Sequence, residues 1–202
     1  MSLADLPVPD AAAARTALEV ARAFHTPALV HHCARSYFWA AGLASAEGTP
    51  FDAELLYVAA MLHDLGLVEP FDSHRAAFEY AGGSVGWVFA AGAGWPPARR
   101  ERVREIIVAH MADAVDAADD PEGSLLNRGT GVDISGRGLD RLPGRLRADV
   151  LERWPRLTLA AEFGACFRDQ AARKPEGAAG RAIRSGLADR MAANPLEQPD
   201  VS

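Results

Sequence analysis

The run Leu55-Leu56-Tyr57-Val58-Ala59-Ala60-Met61-Leu62 leaves no polar face at helical spacing, and His63-Asp64 follow it directly. A helix that is apolar nearly all round is buried on most faces, so this one must sit inside a larger assembly. It is far shorter than the roughly 18 apolar residues that cross a bilayer. An ionisable pair at its end therefore lies in or beside the core, where a charge is costly unless something pairs with it. Adjacent helix positions diverge by about 100°, yet both side chains can reach a point between their directions. A divalent cation at that point would answer the desolvation problem, because imidazole nitrogen and carboxylate oxygen are ordinary ligands. A metal-free His-Asp hydrogen bond is the alternative.

The rest of the chain supplies the surrounding helices. Ala, Leu, Arg and Glu dominate and β-branched residues rarely alternate, which predicts an all-α fold. Helices are expected over 10–24 with Asp10 as N-cap, from Pro27 towards Ala46, from Asp52 to near Gly66, and over 73–91, 97–112 and 121–133. Two more are expected over 155–173 and 175–193. Gly136, Gly138, Pro143 and Gly144 mark a loop, and 194–202 is expected to fray. With 202 residues, 49% of them hydrophobic, the chain suits one helical bundle with a continuous core. That core is expected over about 25–180, with helix 10–24 packed on it.

Charge and targeting signals narrow the function classes. A net charge of −6 and a pI near 5.5 argue against a nucleic-acid partner. No apolar run reaches membrane-spanning length, and Met1 to Asp10 lacks the basic start and apolar segment of a signal peptide. A cytoplasmic location is therefore expected, with Cys33 and Cys166 as buried free thiols. The long exposed helices would permit a homodimer.

Other ionisable residues sit where a helix would face the core. His31-His32 lie on the helix before the apolar run, and Arg35 shares the face of His32. Val103, Ile106, Ile107 and His110 form an i, i+3, i+4, i+7 stripe that turns His110 towards the interior. Asp133 stands in "GTGVDISG", a weakly charged segment between glycines, where a helix cap is the plainer role.

The order His32, His63-Asp64, Asp133 on a helical scaffold resembles the HD-domain superfamily of metal-dependent hydrolases. "HHCARSY", "AAFEYAGG", "IIVAHMADAV", "SLLNRGTGVDISG", "RWPRLTLAAEF" and "ARKPEG" resemble segments of its cyanamide hydratase-like branch, with Trp154 where tyrosine is usual. The resemblance implies a single HD-type domain over 1–202. It also implies one divalent ion (zinc, iron, manganese or similar) held by His32, His63, Asp64 and Asp133. Such an ion lowers the pKa of water towards neutrality. Asp64 would take the proton, His110 and Glu79 would orient substrate or move protons, and Arg35 would hold a ligand carboxylate in position. The substrate would be a small molecule, with a nitrile or cyanamide-like compound favoured. A phosphohydrolase acting on a nucleotide or phosphomonoester is the alternative, for which few basic residues other than Arg35 and Arg75 flank the ligands. A dinuclear iron oxygenase would need His74 or His110 as an additional ligand, and His74 falls in the turn opening the fourth helix. A non-catalytic sensor would not need every ligand position filled.

Overall fold

The computed structural model describes residues 1–197, and among them are ten α-helices and no strand. α1 (Ala12–Phe24), α2 (Pro27–Glu47), α3 (Ala53–Leu62), α4 (Phe78–Gly92), α5 (Pro97–Ala109) and α6 (Pro121–Ser135) build the main bundle. α3 is its axis. All eight residues from Leu55 to Leu62 are buried, and α3 packs against α1, α2, α4, α5 and α6. Among the described residues, no helix is long and apolar enough to cross a membrane.

Local chemistry sets the helix starts. Asp52 accepts from the Leu55 amide at 3.0 Å, and Asp120 accepts from Gly123 at 2.8 Å with Pro121 at the first helical position. Both carboxylates satisfy amides that the first turn leaves unpaired. α2 starts at Pro27 after Thr26, and ends where Gly48 adopts a left-handed φ of 69°. The N-cap of α1 is Ala11 rather than Asp10, and it makes no side-chain capping bond. α3 stops at Leu62, so His63 and Asp64 lie in the turn between it and a 3-10 turn over Leu65–Leu67.

The second half departs further from the pattern. Residues 73–77 are not helical, so the fourth helix begins at Phe78. α7 (Gly144–Arg153) had no counterpart in the sequence reading. Only Leu146 and Val150 of it are buried, a narrow stripe between charged residues. After α8 (Leu159–Arg173), the single helix expected over 175–193 is two, α9 (Ala178–Arg184) and α10 (Leu187–Ala192). Gly186, at φ 81°, makes the break between them, a conformation that glycine adopts without penalty. Asn194 is fully buried and Pro195–Glu197 form a 3-10 turn, so residues 194–197 are not frayed. Residues 198–202 lie outside the described part. Cys33 is buried, whereas Cys166 is only half-buried.

α2 and α6 approach closely at Gly129. A Cβ added there would lie 2.3 Å from the Ser36 carbonyl oxygen and 3.1 Å from the Ala40 Cβ. This contact brings His32, Arg35 and Trp39 of α2 against Asp133 of α6. Gly129→Ala should destabilise the fold by about 1–3 kcal/mol through overpacking, measured by chemical denaturation. A neutral result would mean that the two helices are not held at this spacing.

A second apolar cluster joins Phe163 and Phe167 of α8, Leu187 and Met191 of α10, Ile134 of α6 and Phe78 of α4. The candidate site opens at the seam between this cluster and the main bundle.

Candidate metal centre

Ring orientation defines the site. His63 Nδ1 lies 2.8 Å from the Ala60 carbonyl oxygen, and His32 Nδ1 lies 2.7 Å from Asp133 Oδ2. His110 Nδ1 contacts the Ile107 carbonyl oxygen. Each partner can only accept, so each Nδ1 carries a proton and it is each Nε2 that faces the cluster. The three Nε2 atoms converge on Asp64. His63 Nε2 and His32 Nε2 are 3.2 and 3.4 Å from Asp64 Oδ2, and His110 Nε2 is 3.9 Å from Oδ1. The His32 and His63 Nε2 atoms stand 3.3 Å apart.

This arrangement fits a cation. One ligand atom each from His32, His63 and Asp64 lie within 4.8 Å of one another, and all three residues are buried. Asp64 Oδ2 is buried and accepts no hydrogen bond. Two imidazole nitrogens and a carboxylate oxygen buried this close need positive charge among them, a proton or a metal ion. Fixing each imidazole through its far nitrogen is how proteins orient histidine ligands.

The electrostatics agree. Burial opposes charge on both Asp64 and His63. Even so, His63, His32 and His110 hold the Asp64 carboxyl well below the usual carboxylate range, and Asp64 with Cys33 holds His63 well above the usual imidazole value. A buried site that keeps a proton beside its carboxylate has the field to keep a metal ion there instead. His110 differs: burial and the neighbouring His63 push it down to about 3, so it is neutral.

Asp133 lies behind His32. Besides His32, Arg35 donates through Nε to its Oδ1 at 2.7 Å and through Nη2 to its Oδ2 at 2.9 Å, and Trp39 Nε1 donates to Oδ1 at 2.8 Å. Asp133 is fully buried. Burial works against its charge, but Arg35 and His32 hold its carboxyl far below the usual range. The sequence placed Asp133 among four ligands. The structure gathers three of them and saturates the fourth carboxylate with donors.

The other expected residues divide. Arg35 is buried on Asp133 and also reaches the Trp154 and Pro155 carbonyl oxygens at 2.9 and 3.0 Å, so it has no role as an exposed phosphate binder. Glu79 is buried at the start of α4 with one oxygen unpartnered. Burial raises its pKa, and it does not line the cavity containing the cluster. His74 and Arg75 are exposed in the loop before α4, away from that cavity.

Sequence reading missed several supports. Arg156 donates to the Asp133 carbonyl oxygen at 3.0 Å and pairs with Glu197, and Asn194 donates to the same carbonyl at 2.8 Å. Asn127 donates to the His110 and Ala112 carbonyl oxygens at 3.1 and 2.8 Å, which pins the turn that presents His110. Lys174 ties the end of α8 to Asp72 and to the Ser73 and Ala76 carbonyl oxygens. Of these, Asn127, Arg156 and Lys174 fell in segments with a distinctive pattern, "SLLNRGTGVDISG", "RWPRLTLAAEF" and "ARKPEG".

The cluster forms the floor of a cavity of about 360 Å³, the scale of a small-molecule site. His32, His63, Asp64 and His110 line it together with Phe163, Phe167 and Leu187. Phe163 and Phe167 stack with centroids 4.3 Å apart.

No curated protein shows a significant match to the chain. Residues 29–128 match the family model of the HD domain, a stretch that includes His32, His63, Asp64 and His110 and stops before Asp133. Over residues 29–128 the chain is thus similar to the HD domain, the domain of a superfamily of metal-dependent hydrolases, and its all-α bundle and buried His-His-Asp cluster agree with that similarity.

Proposed function

We propose that the protein is a metal-dependent hydrolase or hydratase of a small molecule, with one divalent ion held by His32, His63 and Asp64. The convergence of the His32 and His63 Nε2 atoms on the buried Asp64 Oδ2, with both rings fixed through Nδ1, carries this reading. A divalent ion there supplies Lewis-acid activation of water or of the substrate's electrophilic atom.

The chain's own residues supply the rest. Asp133 fixes the tautomer of His32, and the Ala60 carbonyl fixes that of His63, so both rings are oriented before any ligand arrives. His110 Nε2, a neutral acceptor 3.9 Å from Asp64 Oδ1, orients a water or a substrate N–H or O–H group at the open side of the cluster. Asp64 Oδ1 can hold the proton lost by the nucleophile. Phe163 and Phe167 provide an apolar wall for the substrate body and limit water around the reacting atoms.

Addition of water to a nitrile such as cyanamide is the reaction suggested by the resemblance of "AAFEYAGG" and "IIVAHMADAV" to the cyanamide hydratase-like branch. Hydrolysis of a phosphomonoester is the second reading, and the arginines lining the cavity favour it. Metal-quantified protein assayed with cyanamide, small nitriles and phosphomonoesters, with urea, ammonia and phosphate detected, separates the two. Absence of turnover on every substrate from protein carrying one metal equivalent would count against both.

His110→Ala should retain the metal and lower kcat by about 10²–10⁴-fold, the range for a lost proton-handling group. Metal analysis and steady-state kinetics on one preparation check this. Loss of the metal would make His110 a ligand.

A further inference from the structure

The cavity mouth carries a charge pattern opposite to that of the whole chain. The protein has a net charge of −6, yet Arg137, Arg181 and Arg190 line the cavity, with Asp113 as the acid there other than Asp64. They come from three elements: the turn after α6, α9 and α10.

Their donors are largely unspent. Among the described residues, Arg99, Arg102, Arg128, Arg156 and Arg173 all pair with carboxylates, and none of the three mouth arginines does. Arg137 Nη2 reaches the Asn127 Oδ1 at 3.2 Å, Arg181 Nη1 reaches the Glu176 carbonyl oxygen at 3.0 Å, and Arg190 contacts Ser185. Glu79 feels the charge of Arg181 but forms no ion pair with it. A guanidinium has five N–H donors, so each side chain is steadied by backbone or amide oxygens and still offers donors to a ligand.

The wall is shaped to admit Arg137. A Cβ at Gly131, itself a lining residue, would lie 2.8 Å from Arg137 Nη2 and 3.0 Å from its Nε. The guanidinium therefore lies against a bare stretch of α6 backbone, and Asn127 links it to the turn that presents His110.

We infer that Arg137, Arg181 and Arg190 form an oxyanion-recognising mouth, which selects a small molecule whose carboxylate or phosphate group docks there while its apolar body rests on Phe163 and Phe167. Guanidinium forks match both anions in geometry and charge, and a cavity lined by one sign of charge concentrates the opposite one. The inference deepens the proposed hydrolase function and rests on it for which bond is broken, but not for the binding of the anion.

The test is calorimetric titration of the full chain, metal-loaded and metal-depleted, with benzoate, phenyl phosphate and neutral benzamide. At least one anion should bind about tenfold or more tightly than benzamide, and the tighter anion names the recognised group. Arg181→Ala/Arg190→Ala and Arg137→Ala should each weaken that anion by about tenfold or more, with benzamide and metal content unchanged. Arg181→Lys/Arg190→Lys should recover part of the loss. Equal affinity for anions and benzamide, no anion binding, or unchanged anion affinity in the alanine variants would each overturn the mouth. The hydrolase reading fails differently: wild-type protein would take up no metal, while the arginine-dependent preference in metal-depleted protein would stand.

Discussion

Asp64→Ala should yield a folded protein that holds no stoichiometric divalent metal and has lost at least about a thousandfold in turnover. Asp64 brings the negative charge to the cluster, with both imidazole nitrogens within 3.4 Å of its Oδ2. Without it, two neutral imidazoles face each other and nothing balances a divalent charge. The magnitude follows from the several kcal/mol of transition-state stabilisation that a catalytic metal supplies, at tenfold for each 1.36 kcal/mol. The fold should survive, because the variant also removes a buried carboxylate whose Oδ2 accepts no hydrogen bond. Metal analysis, circular dichroism and kinetics on one preparation check all three parts. His63→Ala should behave in the same way, and metal retained in both variants would displace the site.

Asp133→Ala should have the opposite profile, with its main damage to stability. The side chain anchors Arg35, Trp39 and His32 from α2. Arg35 is itself fully buried, so truncation leaves an uncompensated charge in the core, a loss of about 3–5 kcal/mol. For a chain of this size that lowers Tm by on the order of 10 °C. Linkage fixes the pH dependence. The folded carboxyl is depressed, so its contribution is fully present above the unfolded value of about 3.9 and is lost as pH falls towards the folded value. The stability gap between wild type and Asp133→Asn should therefore narrow below about pH 4. Loss of metal with no loss of stability would make Asp133 a ligand, as the resemblance implies.

These contrasting outcomes mark how far the sequence could be read. The apolar run Leu55–Leu62 announced a buried central helix, because no rotation of it exposes a polar face. Asp52 and Asp120-Pro121 announced helix starts, because their chemistry is local. His63 and Asp64 could be picked out because burial of ionisable groups needs a reason, whereas His32 was separated from His31 only by the resemblance of "HHCARSY". The position of Asp133 was legible but its placement was not: chain order does not say whether a carboxylate faces the cluster or stands behind one of its imidazoles. Only the close approach at Gly129 decides that. α7 escaped notice because its buried stripe is two residues wide. The mouth arginines escaped because Arg137, Arg181 and Arg190 sit on exposed, ordinary-looking stretches that only the folded chain brings to one opening.

A cation at the His-His-Asp cluster is the centre of the proposed chemistry. Wild-type protein and Asp64→Ala, purified without added chelator and incubated with excess divalent metal, should be desalted and analysed by elemental mass spectrometry. About one equivalent of metal per chain is expected in wild type and background levels in the variant. Equal metal in both, or a metal-free wild type with undiminished hydrolysis, would contradict it.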